Sequence, residues 1–125
     1  MRNFKELKIW QRSYRFTLVG YKILSEVSAD EKFGLTSQLK RALVSIPSNI
    51  AEGASRSSDK DFLRFLDIAL GSAFEAETQL LLLKDLQLIK TDISSLLTEI
   101  NEIQKMIASF IRNLKSKTES RTPKT

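Results

Sequence analysis

Leu35-Thr36-Ser37-Gln38-Leu39-Lys40-Arg41-Ala42-Leu43-Val44-Ser45-Ile46-Pro47-Ser48-Asn49-Ile50-Ala51-Glu52-Gly53 carries two stripes at once. Leu39, Leu43, Ile46 and Ile50 recur at steps of three and four, which puts them on one face of an α-helix. Gln38, Arg41, Ser45, Asn49 and Glu52 recur at the same steps. At the helical period they form a band roughly 80° wide, directly beside the apolar one. Gly53 closes the segment. Pro47 lacks the amide that would bond the Leu43 carbonyl, and its ring crowds the preceding turn. The helix must kink or split there, and the unbroken apolar stripe favours a kink.

The flanking segments have the same period. Before it, Leu7, Trp10, Tyr14, Leu18 and Tyr21 mark a first helix face, which fades near Val27, and Gly34 marks a loop. After it, Ser57 or Ser58, followed by Asp59 and Asp61, makes a helix start whose oxygens satisfy first-turn amides. Phe62, Leu66, Ala69, Ala73, Ala76, Leu80 and Leu83 form the third stripe, to about Leu86. Thr91 or Asp92 can cap a fourth, with Ile93, Leu96, Ile100, Ile103, Ile107, Phe110 and Leu114 as its stripe. No segment alternates like a strand. The expected fold is all-α, an antiparallel up-down four-helix bundle over residues 1–115, with the second helix kinked at Pro47. Residues 116–125 have no apolar period and read as a basic disordered tail.

Composition narrows the chemistry. The 125 residues suit one domain, and 42% apolar residues supply a core. Cysteine and histidine are both absent. That excludes disulfides, thiolate nucleophiles, Ser-His-Asp triads and ordinary zinc sites. No phosphate-cradling glycine motif occurs. A carboxylate-metal nuclease or hydrolase built on Glu52, Asp59 and Asp61 ranks last, and no cofactor is expected. No apolar run is long enough to span a membrane. Met1-Arg2-Asn3-Phe4 lacks a signal-peptide apolar region, so a cytoplasmic protein is expected.

The polar band beside the second stripe is made of short hydrogen-bonding side chains with one arginine. Such residues are stabilising where they meet partners across an interface. The third helix offers Ser72, Glu75, Glu77 and Gln79, with Glu77 the best-placed partner for Arg41. Mid-helix Gly71 is expected to permit a close helix approach. A structural role in register or subunit contact leads; a ligand pocket and a plain solvent face are the alternatives.

The run Phe33-Gly34-Leu35-Thr36-Ser37-Gln38-Leu39-Lys40-Arg41-Ala42, then Ser45-Ile46-Pro47-Ser48-Asn49-Ile50-Ala51-Glu52-Gly53, resembles the signature of the four helix bundle protein family. These S23 ribosomal protein-type sequences are encoded within intervening sequences of bacterial large-subunit rRNA genes. Phe4, Leu7, Trp10 and Gln11 at the start also match, as does Ala69-Leu70-Gly71-Ser72 with Glu75, Glu77 and Gln79. One departure lies in the first loop, where the family often has Phe-Pro and this chain has Ser28-Ala29-Asp30-Glu31. The resemblance implies a homopentameric bundle with no established enzymatic activity. Similar bundles accompany reverse transcriptases in diversity-generating retroelements, where a basic pentamer contacts nucleic acid and the polymerase.

Charge points the same way. The net charge is +5, and residues 1–29 hold six basic but only two acidic side chains. Lys5, Lys8, Arg12, Arg15 and Lys22 share one side of the first helix, a ladder that can follow phosphates without reading sequence. Ile9, Phe16 and Ile23 form a second apolar strip, which a lone bundle leaves partly exposed and an oligomer would cover. The expected function is therefore a non-enzymatic, homo-oligomeric binding protein that contacts RNA or DNA through the first helix. The alternative is an adaptor for a neighbouring gene product.

Overall fold

Each of the four apolar stripes becomes a helix. The computed structural model describes residues 2–28 and 34–121. A 3-10 turn over Phe4–Glu6 leads into α1 (Lys8–Leu24), α2 (Leu35–Ala54), α3 (Asp59–Asp85) and α4 (Ser94–Arg121). No strand occurs among the described residues. The first-loop departure at Ala29-Asp30-Glu31 and the last residues, 122–125, lie outside the described set.

Local chemistry sets the helix ends. Ser58 caps α3, its Oγ accepting from the Asp61 amide at 3.1 Å. At the other end Gln87 adopts a left-handed conformation with φ 57°. The Leu88 amide then returns to the Leu83 carbonyl at 3.0 Å and the Gln87 amide to that of Lys84 at 3.0 Å. This closes α3 with a Schellman turn built on glutamine instead of glycine. Asp92 accepts from the Ser94 amide at 2.9 Å. That bond, helped by the Ser94 side chain, holds the Asp92 carboxyl below the ordinary carboxylate range.

The stripes on α2, α3 and α4 pack inward as their spacing requires. Leu39, Leu43, Ile46, Ile50, Phe62, Leu66, Ile100, Ile103 and Ile107 are fully buried. Burial of each such side chain is worth about 1.5–3 kcal/mol. Every helix packs on its neighbours in the chain, and α1 closes on α4. Arg2 bonds the Ala54 carbonyl while Thr17 meets Leu43 and Lys40 lies over Tyr21. Across α3 and α4, Phe62 meets Phe110 while Glu77 meets Gln104. In each pairing residue numbers rise on one helix as they fall on the other.

Helix α1 corrects the sequence reading. Its buried face is Ile9, Ser13, Phe16, Gly20 and Leu24. The expected core stripe instead lies at the boundary: Leu7 and Trp10 are half-buried, whereas Tyr14, Leu18 and Tyr21 are exposed. The residues assigned to an oligomer contact therefore belong to the core, with Ile9 and Phe16 buried and Ile23 packed against them. Small residues explain the inversion. A Cβ on Gly20 would stand 2.7 Å from Leu43 Cδ1, and Ser13 buries its hydroxyl on the Trp10 carbonyl. Gly20 lets α1 approach α2, yet neither it nor Ser13 registers as apolar.

Two further expectations change. Residues 116–121, assigned to a disordered tail, continue α4. Beyond Leu114 no residue before Pro123 breaks a helix, so the packed turns propagate outward. Gly71 faces solvent, and a Cβ there would meet nothing within 4 Å. The close approaches are at Gly20 and Gly53. Gly71→Ala is expected to raise stability by about 0.5–1 kcal/mol, read as an upward shift of the urea midpoint. A lowered midpoint would show that something covers this position in solution.

Candidate functional site

Pro47 sits inside α2 without dividing it, since Leu35–Ala54 is one helix. The Leu43 carbonyl has no amide four residues on, and Thr17 supplies the missing donor from α1. Its Oγ1 lies 2.9 Å from the Leu43 oxygen and 2.8 Å from the Ser13 oxygen, so one hydroxyl proton serves two acceptors.

The polar band of α2 divides in two. Ser45 and Ser72 join hydroxyls across α2 and α3 at 2.7 Å. Asn49 Nδ2 donates to Ser45 Oγ at 2.9 Å and to its carbonyl at 2.8 Å. Because Ser45 accepts from Asn49, its own proton is free for Ser72. This chain fixes the register of the two helices. Gln38, Arg41, Glu52 and Glu75 are exposed. Glu77 does not reach Arg41; it accepts from Gln104 Nε2 of α4 at 2.9 Å. Arg41 forms no ion pair among the described residues. Glu52 pairs with Arg56 at 2.9 Å, and Asp59 pairs with Arg2. No group of three metal-ligating side chains occurs among the described residues.

Gln38, Arg41, Ser45, Ser72, Glu75 and Gln79 line a polar concavity of about 380 Å³. Gln79 is buried there, and neither its Oε1 nor Thr36 Oγ1 on α2 has a hydrogen-bond partner among the described residues.

The basic ladder is mostly available. Lys5, Lys8, Arg15 and Lys22 are exposed, and none forms an ion pair among the described residues. Arg12 is the exception. Its Nε donates to Glu99 Oε2 at 2.9 Å and its Nη2 to Oε1, a two-point pair joining α1 to α4. The hydrogen bond to Glu99 raises the guanidinium pKa above its ordinary value despite partial burial. Arg12 is thus a tie within the bundle. Its partner lies 87 residues away in sequence, beyond any local charge pattern.

Sequence reasoning also missed the surface beside the ladder. Tyr14, Leu18 and Tyr21 on α1 and Val44 on α2 are 40–57% exposed. Tyr14 tilts against Trp10 at 4.8 Å between ring centroids. Lys40 Nζ lies 5.3 Å from the Tyr21 ring centroid, within cation–π range.

A family model for the 23S rRNA-intervening sequence protein matches residues 5–109. No curated protein matches the chain. The structure is similar to the 1.70 Å crystal structure of a protein with unknown function from the S23 ribosomal protein family of Bacteroides thetaiotaomicron VPI-5482. The two are 30% identical with a TM-score of 0.76, covering 82% of this chain and 97% of that one.

Proposed function

The chain belongs to the 23S rRNA-intervening sequence protein family, and on that footing we propose a non-enzymatic, cytoplasmic binding protein that contacts RNA or DNA through the solvent face of α1. The observation that carries this reading is the row Lys8, Arg15 and Lys22. All three are exposed and unpaired, and they share one side of a helix whose described neighbours leave them free. The bundle is read as up-down and antiparallel, supported by the opposed residue order at its helix contacts. Pro47 is read as a kink within α2, consistent with the Leu43 carbonyl turning to Thr17. Assembly into a homo-oligomer is supported by apolar side chains on the outside of α3, with Phe74 51% and Ile68 44% exposed. Five copies is the number the family resemblance suggests.

Lys8→Glu/Arg15→Glu/Lys22→Glu tests the reading. Binding to labelled RNA or DNA at low salt is expected to fall at least tenfold. The slope of log affinity against log salt should drop by about 2–3, because three phosphate contacts are lost. Binding that survives with an unchanged slope would sink the proposal. Arg12 is left out of the variant because its loss would loosen α1 from α4. The outer face of α3 favours a second reading, an adaptor for a protein partner. Native mass spectrometry of protein from its own cells separates the two: a stoichiometric foreign subunit without nucleic acid supports the adaptor.

A further inference from the structure

Helix α1 repeats a two-residue unit every seven positions: Leu7-Lys8, Tyr14-Arg15 and Tyr21-Lys22. Seven residues are about two helical turns, or about 10.5 Å of rise, and each repeat drifts by only ~20°. The apolar members therefore climb one line of the helix and the cations a second line about 100° round from it. In the first unit Leu7 packs against the core. In the other two the ring stays at the surface, with Tyr14 44% and Tyr21 40% exposed. Leu18, 57% exposed, lies between them.

Tyr21 borders a groove between α1 and α2, and Tyr14 lies two turns before it on the same side of α1. The groove's cavity of about 720 Å³ is lined by Tyr21, Ser37, Lys40, Arg41, Val44, Ser45 and Ser48, with no carboxylate on its walls among the described residues. Arg15 and Lys22 are exposed on α1, and neither they nor Arg41 have an ion-pair partner among the described residues.

We propose that this groove binds single-stranded nucleic acid, with bases stacked on Tyr14 and Tyr21 and phosphates held by Arg15, Lys22, Lys40 and Arg41. The inference rests on the nucleic-acid reading of α1 and narrows it to a strand type and a site. A duplex engages cations through its phosphates, but its base faces are already covered by neighbouring bases. Only an unpaired strand can lay bases on exposed rings. Stacking tolerates any base, because every base has a π-face. The electrostatics favour a polyanion over a second copy of the chain, since Lys40 and Arg41 line the groove and no carboxylate among the described residues on its walls offsets them.

The test compares a labelled single-stranded oligonucleotide of mixed sequence with the duplex made from it. Both are bound to the wild type, to Tyr14→Ser/Tyr21→Ser and to Tyr14→Phe/Tyr21→Phe. Circular dichroism and light-scattering mass accompany each variant. The wild type is expected to prefer the single strand. The serine variant should lose on the order of tenfold in single-strand affinity for each ring, while its duplex affinity, helicity and subunit count hold. The phenylalanine variant should retain single-strand binding, because stacking uses the ring and not the hydroxyl. Equal losses on both probes, or no loss on the single strand, overturn the inference and leave the basic-face reading standing. A changed subunit count in the serine variant also overturns it, since a second copy then covers the groove. If the wild type retains neither probe, both readings fall.

Discussion

Gly53→Val is expected to destabilise the protein by about 3 kcal/mol or more, the upper end of what overpacking a core costs. A Cβ at Gly53 would lie 2.8 Å from Phe65 Cβ, 2.8 Å from Phe62 Cδ1 and 3.3 Å from the Phe62 carbonyl oxygen. Two of these three atoms belong to, or are bonded directly to, the α3 backbone. They can yield only if the first turns of α3 move away from the end of α2. Phe62 cannot swing aside freely, because it is fully buried and its ring meets Phe110 edge-on at 5.5 Å. Gly53 has no positive φ, so the penalty is steric and not conformational. Gly53→Ala should cost less, about 1–2 kcal/mol, since alanine regains about 1 kcal/mol of helix propensity. Gly20→Ala should be milder still, because its nearest contact is the far end of the flexible Leu43 side chain. Urea unfolding checks the order, with the midpoint shifting at constant slope. A Gly53→Val protein as stable as the wild type would show that α2 and α3 are not locked at this crossing.

Thr17→Val is expected to cost about 1–3 kcal/mol, the usual penalty for leaving a buried acceptor unpaired. Valine keeps the shape but removes the proton that Thr17 gives to the Leu43 carbonyl across the α1–α2 contact. Leu43 itself is fully buried, so water does not readily take over. The cause lies at Pro47, and a double-mutant cycle isolates it. In a Pro47→Ala background the restored amide can bond Leu43, and Thr17→Val should then cost distinctly less. A coupling energy of about 0.5–3 kcal/mol is the signature of a shared contact. Equal costs in both backgrounds would mean that the hydroxyl matters only to Ser13. The bond bears on the proposed groove as well. Thr17 lies between Tyr14 and Tyr21, so the same contact that compensates for the proline holds the aromatic side of α1 against α2.

The signature around Pro47 was legible as a pattern before its physical content was. Ser45 and Asn49 fall at helical spacing in the sequence, and the structure joins them to Ser72. Arg41 and Glu77 were paired by proximity to the same apolar face, but the helices place Gln104 nearer to Glu77. The rotation of α3 relative to α4 decides that contact, and no local spacing encodes it. The Tyr14-Arg15 and Tyr21-Lys22 repeat was visible in the sequence. Its meaning depended on which side of α1 faces water.

What the sequence determined by itself is the helical class and the inward faces of α2, α3 and α4. On those helices apolar side chains recur at helical steps, and the hydrophobic effect acts on them wherever the helices pack. The tertiary structure decided the orientation of α1, the tie from Arg12 to Glu99 and the partner of the Leu43 carbonyl. On α1 the apolar residues cover a wide arc opposite the cations, with Ile9, Phe16 and Leu24 on one flank and Trp10, Tyr14 and Tyr21 on the other. Close approach turns the first flank inward, because Gly20 on that side lets Leu43 come close. That choice buries Ile9 and Phe16, leaves Tyr14 and Tyr21 beside their cations at the surface, and so creates the groove between α1 and α2.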